Sequence, residues 1–158
     1  MRRNEREIRD MQDIVSVIEG CQVMRLAIPD EPAPYLVPLN FGFERTEQGV
    51  AFYFHSAVAG RKVELLRGQP AVGFELDRLI QIVEKDTPCG WTARYESVIG
   101  TARPEEITDL EGKRHGLGRI MDHYGWNGEG TFPEAMLLRT SVWTVSYTHL
   151  TLPTNSRV

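Results

Sequence analysis

The residues with the clearest chemical potential lie at the end of one aromatic segment and the start of the next. His55 and Ser56 end the run GVAFYFHS, and Arg61 and Lys62 follow Gly60. The run predicts a strand, and the residues after Gly60 predict a short helix. A hydroxyl, an imidazole, two cations and helix N–H groups therefore meet within a few residues, a donor set suited to a phosphate anion. The start of a surface helix with two solvated cations is the alternative.

The spacing in this segment does not match the common nucleotide-binding loops. YFHSAVAGRKVELLRGQP contains neither a Walker A loop nor a G-x-G-x-x-G turn. A nucleoside triphosphate site and a Rossmann-type dinucleotide site are therefore not indicated.

Six segments have the composition of strands and would position this cluster. They are residues 22–28, 34–44, 49–56, 71–83, 91–104 and 135–145. Most are separated by short turns, without regular alternation with helices, which favours a mainly β protein with short helices (α+β) and an antiparallel barrel or meander. Pro38 cannot donate to a strand ladder, so its strand is expected at an edge, at a bulge or beside a ligand.

Three further segments predict helices. An amphipathic helix is expected up to Gly20, with Asn4 as its N-cap. A short helix is expected after Gly60, ending at Gly68. Pro104 is expected to open a helical stretch that is weakened by internal glycines.

Composition limits the class of protein. The chain has 158 residues, enough for one domain with its own core. The formal net charge of −4 excludes a generally basic nucleic-acid-binding protein. Apolar runs are too short for a membrane span, and no signal peptide is recognisable. The two cysteines do not form a zinc or disulfide pattern, which favours a cytoplasmic protein.

The end of the chain does not continue the pattern of the preceding residues. SYTHLTLPTNSRV is rich in threonine and contains Pro153. We therefore expect a functional domain over residues 1–145, with 146–158 as an atypical tail that is not native; an ordinary polar tail is the alternative.

Four segments in order resemble the split-barrel flavoproteins of the pyridoxamine-phosphate-oxidase-like superfamily. They are CQVMRLAI (21–28), PYLVPLNFG (34–42), the HS-x-x-x-G-R-K segment (55–62) and CGWTARYESVIG (89–100). The histidine version of the third segment and the Y-x-S-V pattern of the fourth resemble the nitroimidazole-resistance (Nim-type) reductases in particular. The resemblance covers residues 3–145 and implies an antiparallel six-stranded split β-barrel that binds FMN.

The resemblance also assigns roles to individual residues. Arg61 and Lys62 would pair with the FMN phosphate, and Ser56 would donate a hydrogen bond to it. Ser97 matches a polar contact to the phosphate or the ribityl chain. His55 would lie near the flavin and the substrate, as the candidate for proton donation. The residues implied to line the flavin ring are Val37, Pro38, Leu39 and Asn40.

The implied protein is a homodimer with FMN at its subunit interface and with no metal, nucleic-acid or membrane partner. It would take electrons from a nicotinamide or another donor and pass them to a small molecule, with nitro-aromatic compounds such as 5-nitroimidazoles as the Nim-type acceptors. A pyridoxamine-phosphate oxidase using O₂ would need a second basic patch, which we do not identify. A flavin-, haem- or deazaflavin-binding carrier or sensor of the same fold is a further alternative. A structural barrel with an empty pocket would leave the clustered cations unexplained.

Overall fold

The computed structural model describes residues 8–47, 49–151 and 156–157. The strands in this part of the chain are β1 (Met24–Ile28), β2 (Tyr35–Leu39), β3 (Gly42–Thr46), β4 (Gly49–Ala57), β5 (Val72–Val83), β6 (Thr92–Ile107), β7 (Thr140–Thr151) and β8 (Ser156–Arg157). The helices are α1 (Met11–Glu19), α2 (Arg61–Leu66), α3 (Leu110–His123) and α4 (Glu134–Leu137), with a 3-10 turn at Pro88–Gly90.

All of these strands belong to one antiparallel sheet. Seven follow one another in the order β2-β1-β5-β6-β7-β4-β3, and the two-residue β8 pairs with β6 outside that order. The predicted class, mainly β and antiparallel with short helices, is confirmed. The predicted number of six strands is wrong, because the segment expected as one strand over 34–44 forms two.

The break in that segment is also the split in the sheet. β2 ends at Leu39, β3 begins at Gly42, and Asn40 and Phe41 form the link between them. The Phe41 N–H donates to the hydroxyl of Tyr124 at 3.3 Å and has no place in a strand ladder. β2 and β3 lie at opposite ends of the strand order, so within the described residues one edge of each strand is unpaired.

The sheet curls around one apolar core. Phe52 of β4 and Phe74 of β5 have ring centroids 5.2 Å apart, although β6 and β7 separate their strands in the sheet. Side chains from α1 and from both ends of the strand order join the same buried cluster, including Ile14, Leu26 and Trp143. Removing this apolar surface from water is what stabilises the closed shape.

The first helix begins later than expected. Asp10 is the N-cap of α1, and its carboxylate accepts a hydrogen bond from the Gln12 N–H at 2.8 Å. Ile14, Val17 and Ile18 are buried at helical spacing, as the pattern predicts. The expected N-cap, Asn4, lies outside the described residues.

The prediction that Pro104 opens a helix is wrong. Pro104 lies within β6 opposite Val145 of β7, and α3 begins after the N-cap Asp109. The ladder between β5 and β6 ends at the pair Val72 and Ala102, so the described part of β6 beyond that point has an open side. A proline without an N–H group is tolerated at such an edge.

The last strand also differs from its prediction at both ends. Residues expected to open it form α4, and β7 starts at Thr140. The backbone of residues 146–151 continues β7 beside β6, with Thr151 opposite Ile99. The boundary expected at residue 145 stays a prediction.

Helix α3 covers the outer side of β3 and β4 at very close range. A Cβ atom on Gly42 would lie 2.2 Å from the backbone carbon of Arg119, and one on Gly116 would lie 2.9 Å from a methyl group of Val142. Neither position has space for a side chain. The absence of a side chain at Gly42 allows α3 to pack directly against the start of β3.

Replacing Gly42 by alanine should separate α3 from the sheet. We expect Gly42→Ala to lower the free energy of unfolding by about 1–3 kcal/mol, since the clash is with backbone atoms that cannot rotate away. Gly73→Ala is the matched control, because its Cβ would lie 3.6 Å from the Cβ of Ala27, an ordinary contact. Urea denaturation of both variants checks this; equal stabilities would contradict the close packing.

Candidate functional site

Two strand edges at the split lack strand partners within the described residues, and we call the space between them the split groove. β3 pairs with β4 only as far as Tyr53, so residues 54–57 of β4 extend beyond β3. β7 pairs with the other side of those residues. The outer edge of β2 has no strand partner within the described residues. The split groove is bounded by β2 on one side, by residues 54–57 on the other and by α2 at its open end.

Arg61, the first residue of α2, joins the two sides of the split groove. Its guanidinium pairs with the carboxylate of Asp30 in the turn between β1 and β2. The same guanidinium lies 5.7 Å from the ring centroid of Tyr35, the first residue of β2. The Arg61 side chain is still 63% exposed. The hydrogen bond that Arg61 donates to Asp30 holds the pKa of the Asp30 carboxyl group below its usual range.

Lys62 is placed differently from Arg61. It is half-buried, and its ammonium lies 6.0 Å from the ring centroid of Phe54. Loss of hydration lowers the pKa of Lys62 below its ordinary value. In the described part of the chain, no carboxylate lies within ion-pair distance of this ammonium. Lys62 is therefore a partly desolvated cation that has no counter-ion among the described residues.

His55 and Ser56 stand at the end of β4 beside these cations. His55 is exposed and lies opposite Val142 of β7. Loss of hydration on its protein-facing side lowers the pKa of His55, and the charge of Lys62 acts in the same direction. The Ser56 hydroxyl donates to the carbonyl of Ala57 at 2.9 Å, so it would have to turn to reach an anion.

The start of α2 has little intrinsic field, because the helix has only six residues. Gly60, its N-cap, has φ of 127°, a conformation that favours glycine. The geometry thus relies on the two side-chain cations and on this turn more than on the helix dipole.

The far end of α2 is fixed to the sheet by an ion pair. Arg67 donates to both oxygens of Glu106 on β6, at 3.1 Å and 3.2 Å. The buried hydroxyl of Ser141 donates to the same carboxylate at 2.6 Å. These hydrogen bonds, with that from Arg67 the strongest, lower the pKa of Glu106. Because Ser141 lies opposite Ser56, this contact ties α2 to the strand pair beside the cluster.

The four residues expected to line a ring do not all face the split groove. Val37 and Leu39 pack their side chains against the core, and Leu39 is buried. Pro38, opposite Arg25 of β1, and Asn40 are exposed. Of these four residues, Pro38 and Asn40 have exposed side chains, and Val37 is partly buried.

Ser97 lies elsewhere in the chain's own fold. It is buried opposite Asp77, in a second groove of about 440 Å³ that Glu75, Tyr95 and Ile99 also line. Ser97 lies ten positions along β6 from Ile107, which is opposite Val142 of β7, and Val142 is in turn opposite His55. That separation is about 30 Å along a strand. Pro38 is nearer, because only β5 and β1 lie between β6 and β2, which is about 14 Å across the sheet. Within one chain the structure therefore does not bring Ser97 into contact with the other predicted site residues.

Sequence reasoning missed three residues that shape this site. Asp30, Tyr35 and Phe54 contact the side chains of Arg61 and Lys62. Asp30 lies 31 positions from Arg61, and no local pattern connects them. Phe54 belongs to the aromatic strand, and Lys62 follows it by eight positions. This short separation was the available indication of their contact.

The fold and the split groove define a split-barrel protein with a cationic site at the open end of the split. A family profile described as pyridoxamine 5'-phosphate oxidase matches residues 10–152. The chain therefore belongs to the pyridoxamine 5'-phosphate oxidase family. No curated protein sequence matches it significantly.

Solved structures with a similar fold differ in their sequence identity to this chain. A proposed 5-nitroimidazole antibiotic resistance protein from Bacteroides thetaiotaomicron is 29% identical, with a TM-score of 0.79 over 95% of this chain and 90% of that one. The flavocytochrome Anf3 from Azotobacter vinelandii is 18% identical, with a TM-score of 0.79 over 100% of this chain and 74% of that one. A FAD- and haem-binding protein from Mycobacterium smegmatis is 15% identical, with a TM-score of 0.78 over 96% and 73%. The last two similarities show the fold alone.

None of the helices in the described residues is long and apolar enough to cross a membrane.

The contact between Arg67 and Glu106 predicts a pH dependence of stability. A carboxylate whose pKa is lowered on folding contributes stability that is present above its unfolded pKa and is lost as pH falls through the folded pKa. We expect the wild type to lose more unfolding free energy than Glu106→Gln between about pH 5 and about pH 3. Glu105→Gln, on the opposite face of β6, should retain the wild-type dependence. Urea denaturation at each pH measures it; parallel curves for Glu106→Gln and the wild type would contradict the assignment.

Proposed function

We propose that this protein is an FMN-dependent oxidoreductase whose split groove holds the flavin. The observation that carries the proposal is the half-buried Lys62 beside Arg61 at the open end of that groove, where no described carboxylate pairs with it. A partly desolvated cation without a protein counter-ion is unfavourable unless an anion binds it. The phosphate of FMN supplies such an anion.

The donors present suit that ligand. Arg61 uses one guanidinium nitrogen for Asp30 and keeps other N–H donors for a phosphate. Lys62 adds a second charge, and a turned Ser56 hydroxyl adds a neutral donor. The unpaired backbone edge of β2 offers N–H and C=O groups to a planar polar ring, with Pro38 and Asn40 beside it.

When bound, FMN supplies the redox chemistry, accepting electrons from a nicotinamide or another donor and passing them on. The chain's own residues bind it, orient it and hold protons near it. His55 is exposed beside Lys62, and its lowered pKa favours the neutral imidazole at neutral pH. A neutral imidazole can exchange a proton with a substrate at its ring nitrogens.

For the acceptor we propose nitro-aromatic compounds, with 5-nitroimidazoles as the first to test. Support comes from the similarity to the Bacteroides thetaiotaomicron protein, which covers most of both chains. Consumption of NADH dependent on both FMN and a nitroimidazole would support this assignment.

Replacing Lys62 should change FMN affinity and protein stability in opposite directions. We expect Lys62→Met to raise the free energy of unfolding of the ligand-free protein by up to about 1 kcal/mol, because it removes a desolvated charge and keeps the apolar stem. The same variant should weaken FMN binding by about tenfold or more, because it removes a charged phosphate contact. Urea denaturation and fluorescence titration with FMN measure the two effects.

Lys113→Met is the matched control for this test. The Lys113 ammonium donates to the carbonyls of Leu137 and Thr140 at 3.0 Å and 2.8 Å, away from the split groove. This variant should lower stability and leave FMN affinity unchanged. Equal FMN affinity of wild type and Lys62→Met would exclude the phosphate role of Lys62. A wild-type protein that retains haem or a deazaflavin instead of FMN would favour the carrier or sensor alternative.

We further propose that the protein acts as a homodimer through the outer face of β1, β2, β5 and β6. This face carries Leu36, Leu79 and Ile99, which are 63%, 61% and 49% exposed. In its centre Arg25 pairs with Glu75 at 2.9 Å, so the face combines apolar and paired charged side chains. A second copy would cover it, and a shared site would give Ser97 the flavin contact that it cannot make within one chain.

A charge on this face should dissociate the dimer. We expect Ile99→Asp to convert a dimer to a monomer in sedimentation equilibrium, since the carboxylate would be buried without a partner. Leu138→Asp is the control, because Leu138 is 64% exposed but lies outside this face, after α4. A wild type that sediments as a monomer at all concentrations would contradict the proposal.

A further inference from the structure

The link between β2 and β3 forms the closed end of the split groove. Asn40 and Phe41 connect the two strands whose outer edges are unpaired in the described sheet. Asn40 is exposed, whereas the ring of Phe41 is fully buried in the core. The position of Phe41 therefore decides where Asn40 and the last residues of β2 stand relative to the groove.

Tyr124, which ends α3, holds this link from outside the sheet. Its hydroxyl accepts the N–H of Phe41 at 3.3 Å and donates to the carbonyl of Gln22 at 2.7 Å. Gln22 lies just before β1, the strand that pairs with β2. A single hydroxyl therefore joins the approach to β1 with the link that leads from β2 to β3.

His123 strengthens the same connection. Its Nε2 donates to the carbonyl of Cys21 at 2.8 Å, and its ring centroid lies 4.4 Å from that of Phe41. Two successive side chains at the end of α3 thus contact both segments. Gly42, next to Phe41, lets the backbone of α3 approach closely enough for these contacts.

We propose that Tyr124 is a positioning residue that fixes the Asn40–Phe41 link. Through this link it sets the position of β2, the side of the split groove that would lie beside the flavin ring. The ligand part of this inference rests on the proposed function. Tyr124 does not belong to the cationic end of the groove, where Arg61 and Lys62 lie. It acts through Phe41 on the accessible edge of β2 and on Asn40.

Tyr124→Phe tests this in the full chain, because it removes the hydroxyl and keeps the ring. We expect the amide proton of Phe41 to exchange about tenfold faster in the ligand-free protein, since its acceptor is lost. We also expect the FMN dissociation constant to rise by about fivefold to tenfold, the effect of about one hydrogen bond. The visible absorption band of bound FMN should shift towards that of free FMN, which a general loss of stability would not produce.

Tyr53→Phe is the matched control. Tyr53 lies opposite Gly42, next to the link, but its hydroxyl donates to Glu44 and not to Phe41 or Gln22. This variant should leave the Phe41 exchange rate and the spectrum of bound FMN unchanged. Unchanged Phe41 exchange in Tyr124→Phe, or faster exchange with unchanged FMN affinity and spectrum, would overturn the inference. A wild type that binds no FMN would overturn the proposed function and the ligand part, whereas the exchange measurement would still decide whether Tyr124 holds the link.

Discussion

Two strand edges that do not pair with each other are the constraint on which the candidate site depends. The outer edge of β2 and the β3-side edge of residues 54–57 of β4 lack strand neighbours within the described sheet. Exposed backbone N–H and C=O groups need partners, either water or a ligand. α2 follows β4 directly and brings Arg61 and Lys62 to the end of the same opening. A planar polar ring that carries an anionic group would satisfy both the strand edge and the cations.

The two cations contribute in different ways. Arg61 stays hydrated and is oriented by Asp30 and the face of Tyr35, so it adds direction at little energetic cost. Lys62 has lost part of its hydration over Phe54 without gaining a carboxylate among the described residues. Protein interiors rarely keep such a charge unless a partner binds it. The uncompensated charge of Lys62 is therefore stronger evidence for an anionic ligand than the number of cations is.

The parts of the site that the sequence could predict are those that neighbouring residues determine. The end of the aromatic strand from Tyr53, the Gly60 turn and the following cations lie within ten positions, so strand and turn chemistry alone place them together. Where residues 34–44 divide, the Phe41 N–H donates instead to Tyr124, 83 positions away, which no local pattern reveals. Pro104 was misread because its strand has an open side, which only the ladder with β5 reveals. Propensity describes the local chain, whereas these outcomes follow from tertiary contacts.

The same distinction explains why Ser97 cannot be judged from one chain. Its strand is continuous and its side chain is buried, yet it lies about 30 Å of strand away from His55. Its own groove carries Glu75 and Asp77, which would repel a phosphate, although Arg25 pairs with both. A contact between Ser97 and an FMN molecule bound at Arg61 therefore requires a second copy of the chain. The flavin contact inferred for Ser97 thus depends on the dimeric state, whereas the proposed dimer also rests on the exposed apolar side chains of Leu36, Leu79 and Ile99.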